Sequence, residues 1–403
     1  MKGKQIVVGV SGGIAAYKAA ELVRLLVREE AVVQVAMTVN ATKFVSPLTF
    51  AALSGHRVVS HMFDEGAGAM DHISWGQDSD LVIIAPATAN VIAKIAHGIA
   101  DDFLSTMTLA ATAKILVCPA MNTRMYENPA TQENLAVLRK RGIAVMEPGA
   151  GPLACRDEGP GRLPEPAEIV GEARSFLSKQ DLAGLQILVT AGATHEPMDP
   201  VRYITNRSTG KMGYAVAKAA MIRGASVKLV SGPTFLPVPR RVEVEQVATA
   251  IEMREAVLKH FATSDIVVMA AAVSDYRPHA TEEQKIKKGP DTLAVELCRN
   301  PDILAELGRS RGERHCVLVG FAAETEQLLA HAERKLKDKN LDMIVANDVS
   351  RGDAGFAVDT NEVEILFRDG KVENPPLMGK EEVAALVLDR AKTLWEAHSG
   401  YGK

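Results

Sequence analysis

The residues best suited to chemistry in this chain follow an apolar run in its second half. Residues 266–272, IVVMAAA, are apolar without a break, as expected of a β-strand that is covered on both faces. Asp275 follows closely, and Lys285 begins the basic run KIKK. Open parallel sheets bind ligands at the edge where such strands end. The stretch therefore predicts a catalytic loop that meets a polyphosphate; on charge alone, the alternative is a solvated loop.

A second candidate site is the glycine-rich turn at residues 9–14, GVSGGI, between the first predicted strand and its helix. Backbone N–H groups and the helix dipole favour a phosphate there, and Gly12 and Gly13 permit its close approach. The turn is not GxGxxG, and the second strand ends in MTVN, without an Asp or Glu to hold a ribose. Both departures disfavour a dinucleotide and favour FMN. The alternative is an ordinary turn, which needs glycine in any case.

Two further side chains could carry proton transfer. His72 lies in DHISW, where a histidine beside an apolar residue is most often a hydrogen-bonded structural group. Cys155 lies in GAGPLACRDEGPGR, where a thiol has no apolar reason to be and a reactive role is favoured. No CxxC or zinc spacing occurs, so we expect Cys118, Cys298 and Cys316 to be reduced thiols that pack in the interior.

Length and composition set the scale of the fold. The chain has 403 residues, of which 47% are hydrophobic and 24% charged, as is typical of a globular protein with more than one core. A net charge of −4 and an aromatic fraction of 4% argue against a nucleic-acid surface. No apolar run reaches the roughly 18 residues of a membrane span, and no signal-peptide pattern precedes the first strand. We therefore expect a cytoplasmic protein.

Both halves alternate strands with helices in the way that is typical of a doubly wound parallel sheet. The predicted strands of the first half are residues 5–10, 31–37, 80–85, 114–118 and 143–146. Those of the second half are residues 186–190, 226–230, 265–272, 316–321 and 342–346, with a hairpin-like segment at 362–368 and helices at 210–223 and 380–396.

Toward the end of the first half, residues 149–166 carry too many Gly and Pro residues for a regular element and predict a functional flap. A helix at 167–179 and a junction at 181–185 follow. The predicted domains are therefore residues 1–185 and 186–403.

Several longer motifs resemble one protein family and occur in its order. In the first half these are SGGIAAYK (11–18), DHIS (71–74), APATAN (85–90), PAMN (119–122) and ACRDEGPGRL (154–163). In the second half they are DPVRYITNRSTGKMG (199–213), which follows QILVTAGAT, and AAAVSDYRPHATEEQKIKKG (270–289).

The chain resembles the bacterial bifunctional coenzyme A biosynthesis family, in which a flavin-dependent phosphopantothenoylcysteine decarboxylase precedes a phosphopantothenate–cysteine ligase. The resemblance implies an α/β protein with two doubly wound, Rossmann-like domains. The first would be a flavodoxin-like flavoprotein domain and the second a nucleotide-binding ligase domain.

For the first half, the resemblance implies an FMN-dependent decarboxylase. His72 would serve in oxidation of the substrate's cysteine moiety, Asn122 would bind the departing carboxylate, and Cys155 would protonate the enethiolate. FMN would take a hydride equivalent from the cysteine, so that a thioaldehyde forms and carbon dioxide can leave. Thr88 or Asn90 could equally cap a helix, and both roles are compatible. The implied FMN-pocket residues are Gly12, Gly13, Ile14, Thr38, Phe44, Thr88, Ala89, Asn90 and Ala120.

For the second half, the resemblance implies a CTP-dependent ligase. The carboxylate of 4′-phosphopantothenate would attack CTP and release pyrophosphate, and the amine of cysteine would attack the acyl cytidylate to give 4′-phosphopantothenoylcysteine and CMP. Lys285 would assist formation of the intermediate, Asn206 its turnover, and Arg202 would lie at the acyl-phosphate site. The implied nucleotide residues are Gly192, Met269, Ala270, Ala271, Asp275, Lys285, Pro301, Asp302, Ile303, Leu304, Phe321, Lys335 and Lys339.

Some of these assignments have a plain structural alternative. It is a surface ion pair for Arg202, a solvated helix face for Lys335 and Lys339, and an ordinary turn for Gly192. Mg²⁺ is expected to accompany the triphosphate, although the sequence contains no dedicated metal cage.

The family also implies a homo-oligomer, with trimers of the flavin half, FMN between subunits, dimers of the ligase half and a dodecamer overall. Two rival functions are open. One is a flavin-dependent decarboxylase of a peptide's terminal cysteine, which the KIKK and TNRSTGKMG segments disfavour. The other is a non-enzymatic flavin-binding regulatory subunit, which the presence of His72, Asn122 and Cys155 together disfavours.

Overall fold

Apolar strands that lead into glycine turns organise both parts of the chain. The computed structural model describes residues 1–63, 68, 70–152, 158–287, 293–324, 328–348 and 360–399. The chain divides into two compact units, Met1–Ser178 and Lys179–Lys403. Leu182 and Leu185, which the sequence interpretation placed in the junction, pack in a core of the second unit.

The elements of the first unit follow the predicted alternation. Its strands are β1 (Gln5–Val10), β2 (Val32–Met37), β3 (Val58–Val59), β4 (Leu81–Ala87), β5 (Lys114–Pro119), β6 (Ala144–Val145), β7 (Gly149–Pro152) and β8 (Glu158–Arg162). Its helices are α1 (Ala16–Arg28), α2 (Pro47–Ser54), α3 (Asp71–Asp78), α4 (Ala89–His97), α5 (Phe103–Ala110), α6 (Thr123–Glu127), α7 (Pro129–Lys140) and α8 (Pro166–Leu177), with a 3-10 turn at Ala41–Lys43.

A parallel sheet of order β3-β2-β1-β4-β5-β6 forms the centre of this unit. Alternate residues of β1 face different cores: Val8 packs in the cluster that contains α1 and α8, whereas Val7 packs in the cluster that contains α4, α5 and α7. Burial on both faces explains why the strands read as unbroken apolar runs. The strand order reverses between β1 and β4, which leaves a crevice at their carboxyl ends.

Residues 149–166 are more regular than the sequence predicted. The expectation of no regular element is wrong, because β7 and β8 pair as an antiparallel ribbon. Its glycines make the pairing and its close packing feasible: Gly161 has φ of 141°, and a Cβ atom there would lie 2.2 Å from the carbonyl oxygen of Met121. The ribbon therefore lies directly against the segment that follows β5.

The second unit repeats the alternation with additional short strands. Its strands are β9 (Gln186–Ala191), β10 (His195–Pro197), β11 (Tyr203–Thr205), β12 (Ser226–Ser231), β13 (Glu243–Gln246), β14 (Ile266–Met269), β15 (Tyr276–Pro278), β16 (Leu297–Arg299), β17 (Val317–Glu324), β18 (Met343–Asp348), β19 (Thr360–Asn361), β20 (Val363–Phe367), β21 (Val372–Glu373) and β22 (Met378–Gly379). Its helices are α9 (Lys211–Ile222), α10 (Ala250–Phe261), α11 (Ile303–Ser310), α12 (Leu328–Asp338) and α13 (Lys380–Ser399).

The main sheet of this unit has the order β13-β12-β9-β14-β17-β18-β20-β21. It is parallel from β13 to β18, and β20 and β21 join it antiparallel, so the sheet is mixed. The order reverses between β9 and β14, which creates a second crevice of the same kind. β10 pairs with β11 and β15 with β16 outside this sheet.

The strand predicted at residues 265–272 is shorter than expected. It ends at Met269 because the next residues leave the ladder: the Ala271 N–H donates to Thr190 Oγ1 at 3.1 Å, and Ala272 forms only an isolated bridge with Ala193.

The prediction that the cysteines pack in the interior is confirmed for Cys118 and Cys316, which are buried, while Cys298 is half-buried. Burial raises the pKa of the Cys316 thiol to about 12. In the part of the chain that the structure describes, no helix has the length and apolar character of a membrane span.

Candidate active sites

A cleft of about 500 Å³ opens at the crevice of the first unit. Its walls are the turn after β1, the segments after β4 and β5, and the ribbon β7–β8. Sites at this edge of a doubly wound sheet typically hold small ligands. The cleft brings together six residues that the sequence predicted: Gly12, Gly13, Ile14, Thr88, Ala120 and Asn122.

Close packing against Asn40 explains the glycine at position 12 of this turn. A Cβ atom on Gly12 would lie 2.5 Å from the Cβ of Asn40, so a larger residue would push the turn away from the end of β2. The position at the start of α1 gives this turn backbone N–H groups and a helix dipole suited to a phosphate.

Ser11 joins the two principal walls of the cleft. Its side chain is fully buried; Oγ donates to the Pro86 carbonyl oxygen at 2.7 Å and accepts from the Thr88 N–H at 2.9 Å. One hydroxyl thus fixes the glycine turn against the segment after β4. The sequence analysis included Ser11 in a motif but assigned it no role. The sequence signal that could have found it is a serine placed directly after the apolar run of a predicted strand.

Two cations also line the cleft and were not predicted individually. Lys18 Nζ lies 2.8 Å from Glu165 Oε1, and Arg162 Nη2 lies 3.7 Å from the same oxygen. The cations share one carboxylate, so this cluster has a net positive charge. That charge favours a phosphorylated ligand.

Several predicted residues lie outside the residues that line this cleft. Phe44 and Asn90 are exposed, and His72 is in the first turn of α3. Thr38 and Ala89 do not line the cleft either.

Two residues that line the cleft also stand at helix starts. Asn122 caps α6, since its Oδ1 accepts from the Arg124 N–H at 2.8 Å. Thr88 occupies the N-cap position of α4, where the capping alternative placed it, but its side chain makes no capping hydrogen bond. Cys155 lies outside the described residues.

In the second unit, a pocket of about 110 Å³ lies at the carboxyl ends of β14, β17 and β18, beside the start of α9. It contains three predicted residues: Ala270, Ala271 and Phe321. It also contains six polar residues to which the sequence assigned no role: Ser208, Thr209, Lys211, Asn347, Asn361 and Lys380. Asn347, Asn361 and Lys380 are at most 8% exposed, which is unusual for polar side chains. The Asn-Asp pair that ends β18 is the sequence signal that could have indicated one of them.

Glycines allow the turns around this pocket to meet. Gly192 has φ of 82°, and a Cβ there would lie 3.0 Å from the Gly232 carbonyl oxygen. Gly210, the N-cap of α9, has φ of 80°, and its added Cβ would lie 3.2 Å from the Gly192 nitrogen. Only glycine adopts this backbone region readily. Gly192 therefore lies at a tight turn, and Met269 ends the adjacent strand β14.

Lys285 lies in a separate pocket of about 470 Å³, together with Ile286 and Lys287. Arg202 reaches this segment: its Nη1 donates to the Ile286 carbonyl oxygen at 3.0 Å and to Asp199 at 2.8 Å. The ion-pair alternative for Arg202 therefore describes part of what it does. Asn206 Nδ2 donates to the Ala272 carbonyl oxygen at 3.1 Å, close to the end of β14.

The remaining predicted nucleotide residues do not line the Phe321 pocket. Asp302 caps α11 through the Ala305 N–H and forms an ion pair with Lys339 at 2.9 Å. Ile303 is buried in a core, and Leu304 packs against it. The Asp275 backbone carbonyl accepts from the Asn300 N–H at 2.8 Å. Pro301 and Lys335 also lie outside this pocket. Among the described side chains, no group of three or more His, Cys, Asp or Glu residues is placed to hold a metal ion.

Comparison with known proteins defines the class. Residues 1–178 match the family described as Flavoprotein, and residues 182–394 match the DNA/pantothenate metabolism flavoprotein C-terminal domain. The chain is thus a flavoprotein unit joined to that carboxyl-terminal domain.

Curated relatives identify the family more narrowly. The coenzyme A biosynthesis bifunctional protein CoaBC of Vibrio cholerae is 48% identical over 391 residues, which cover 96% of this chain and 98% of that protein. The protein of the same name from Bacillus subtilis is 47% identical over 399 residues, covering 98% of each. A crystal structure of the C-terminal domain of a CoaBC protein is 42% identical, covers 54% of this chain and 100% of that one, and has a TM-score of 0.47. The chain belongs to the CoaBC family.

Ser11→Ala is predicted to weaken flavin binding, because the Thr88 N–H and the Pro86 carbonyl would lose their shared partner and the two cleft walls could separate. An unsatisfied buried polar group costs about 1–3 kcal/mol, so we expect a loss of affinity of about 5- to 150-fold. The measurement is a fluorescence titration of the flavin-free protein. Ser105→Ala, which removes the buried hydroxyl that accepts from the Asp102 N–H in the capping box of α5, is the matched control. Equal flavin affinities for the two variants would contradict the role of Ser11.

Proposed function

We propose that the carboxyl-terminal unit joins cysteine to 4′-phosphopantothenate with CTP, and that the amino-terminal unit decarboxylates the product to 4′-phosphopantetheine with FMN. The observation that carries the proposal is the match to CoaBC proteins at 47–48% identity over both units. The two rival functions, a peptide decarboxylase and a flavin-binding regulatory subunit, assign no activity to the carboxyl-terminal unit.

In the amino-terminal unit, the turn at Gly12 and the start of α1 would hold the phosphate of FMN. The neutral residues Thr88 and Ala120 would face the ring system. Bound FMN supplies the electron sink that a cysteine carboxylate lacks. The amide of Asn122 can bind the substrate carboxylate and remain neutral as carbon dioxide leaves. Lys18 and Arg162 supply positive charge for the phosphate end of the substrate.

His72 would hold and move a proton during oxidation of the substrate, and Cys155 would return a proton to the enethiolate. The structure places His72 outside the lining of the cleft in its own chain, along with the exposed residues Phe44 and Asn90. A second copy of the chain would bring these residues to the flavin. From the resemblance to the family, we propose a cytoplasmic homo-oligomer in which trimers of this unit and dimers of the other build a dodecamer; the exposure of Phe44 and Asn90 is compatible with a contact between copies.

In the carboxyl-terminal unit, the pocket with Ala270, Ala271 and Phe321 would receive the nucleotide. Lys285 would neutralise charge on the phosphates while the acyl cytidylate forms, and Arg202 lies beside it through Ile286. Asn206, held at the Ala272 carbonyl, would act when the cysteine amine attacks. Mg²⁺ would enter with the triphosphate, as divalent cations usually do.

Variants of His72 and Cys155, the two proton-transfer residues, should block the decarboxylation at different stages. Cys155→Ser is predicted to bleach the flavin on addition of substrate and to accumulate the enethiol, because only the last protonation is lost. His72→Asn is predicted to do neither. Stopped-flow absorbance of the flavin and mass analysis of products separate the two outcomes. Indistinguishable traces would remove this division of roles.

Variants of the ligase unit should also fail in sequence. With CTP, phosphopantothenate and Mg²⁺, Lys285→Gln is predicted to release pyrophosphate about 10²–10³ times more slowly, the typical cost of losing one charge-stabilising donor. Asn206→Asp is predicted to accumulate the acyl cytidylate and pass it slowly to cysteine. Quenched-flow chromatography measures both. Near-normal ligation by Lys285→Gln would favour the alternative interpretation, in which the KIKK segment is a solvated loop without a catalytic role.

A further inference from the structure

Asp199 is a buried carboxylate that the proposed chemistry does not use. It lies in the connection between β10 and β11, and its side chain is 0% exposed. A carboxylate removed from water is costly unless charged or polar partners satisfy it. The hydrogen-bond partners of the Asp199 carboxylate therefore indicate its role.

The two oxygens of Asp199 have separate partners. Oδ1 accepts from the N–H groups of Val201 at 2.7 Å and Arg202 at 2.8 Å, which shapes the local turn. Oδ2 accepts from Arg202 Nη1 at 2.8 Å and from the N–H of Ile286 at 3.1 Å. One oxygen thus serves the turn, and the other reaches a segment that is distant in sequence.

That distant segment is held at several points. Arg202 Nη1 donates to the Ile286 carbonyl oxygen, so the Asp199–Arg202 pair satisfies both backbone groups of Ile286. Upstream, the Glu282 N–H donates to the Met198 carbonyl at 3.0 Å, and Thr281 Oγ1 to the Pro197 carbonyl at 3.1 Å. Residues 281–286 are therefore docked along the connection from β10 to β11.

This docking bears directly on Lys285, which precedes Ile286. A solvated lysine has many rotamers to lose before it can meet a phosphate. Fixing the peptide on the far side of Lys285 with a charge-assisted bond removes part of that cost in advance. Burial acts to raise the pKa of Asp199, but the N–H groups of Val201, Ile286 and Arg202 and the Arg202 guanidinium stabilise the anion, and the net effect is a lowered pKa.

We propose that Asp199 is a positioning residue for the ligase reaction: its Oδ2, together with Arg202, holds Ile286 and so presents the ammonium of Lys285 to the polyphosphate of the nucleotide. The inference rests on the proposed role of Lys285. It adds a residue that touches neither substrate nor reacting atoms.

Asp199→Asn is the sharpest test, because an amide keeps one oxygen for the turn but places an NH₂ group against two donors at the Oδ2 position. We expect pyrophosphate release from CTP and phosphopantothenate to fall by about 10- to 100-fold, as for loss of a hydrogen bond to a charged group. Trypsin should cut the native full-length protein faster after Lys285 and Lys287, as mapped by mass spectrometry. The kcat/KM for cysteine, which reacts with the intermediate in the later step, should stay unchanged.

Two controls separate positioning from general damage. Asp181→Asn removes a carboxylate that pairs with Arg223 and Lys392, and it should lower thermal stability without changing pyrophosphate release or cleavage after Lys285. Decarboxylation of supplied 4′-phosphopantothenoylcysteine by the other unit of the same Asp199→Asn chain should equal that of the wild type.

The inference is overturned if Asp199→Asn releases pyrophosphate at the wild-type rate, or if Asp181→Asn reproduces its loss. A wild-type chain that released no pyrophosphate would instead refute the proposed ligase function. In that case the proposed role of Asp199 in ligation is refuted as well. The trypsin result then reports separately whether Asp199 holds residues 281–286 in place.

Discussion

The reversal of strand order beside the first strand of each sheet is the constraint on which the rest of the structure depends. Between β1 and β4, and again between β9 and β14, the chain leaves neighbouring parallel strands toward opposite faces. No helix can cover the edge at that point, so a crevice opens where backbone groups are free to meet a ligand. One motif lies at the carboxyl end of each of these four strands: SGGIAAYK after β1, APATAN at the end of β4, the end of QILVTAGAT after β9, and AAAVSD after β14.

An open edge has to be held by something other than the ladder. Glycine allows turns to touch, as at Gly12 against Asn40 and at Gly210 against Gly192. Buried polar side chains then tie segments that are far apart in sequence: Ser11 joins the turn after β1 to the segment after β4, and Asp199 joins the β10–β11 connection to Ile286. Each tie is a small number of hydrogen bonds, but it determines where the loop backbone lies.

The strands of both main sheets are predictable from the sequence, because a strand that is buried on two faces must be apolar throughout, as β1 and β4 are. Sequence reasoning missed the ribbon β7–β8, since glycines with positive φ can pair where a propensity argument predicts none. It also missed the three-residue strands β10 and β15, which are too short to alternate visibly. Asn361 enters the second pocket with β18 and the antiparallel strands that follow it, a long-range arrangement that no local pattern encodes.

The central claim is that the two units act in succession on one substrate. It is tested most directly by supplying the purified chain with CTP, Mg²⁺, 4′-phosphopantothenate and cysteine labelled with ¹³C in its carboxyl group, and following labelled carbon dioxide beside CMP and pyrophosphate. The account predicts labelled carbon dioxide only when CTP and phosphopantothenate are both present, with one CMP and one pyrophosphate for each molecule released. Carbon dioxide released from cysteine without CTP, or CTP consumed while the product keeps its labelled carboxyl group, would contradict it.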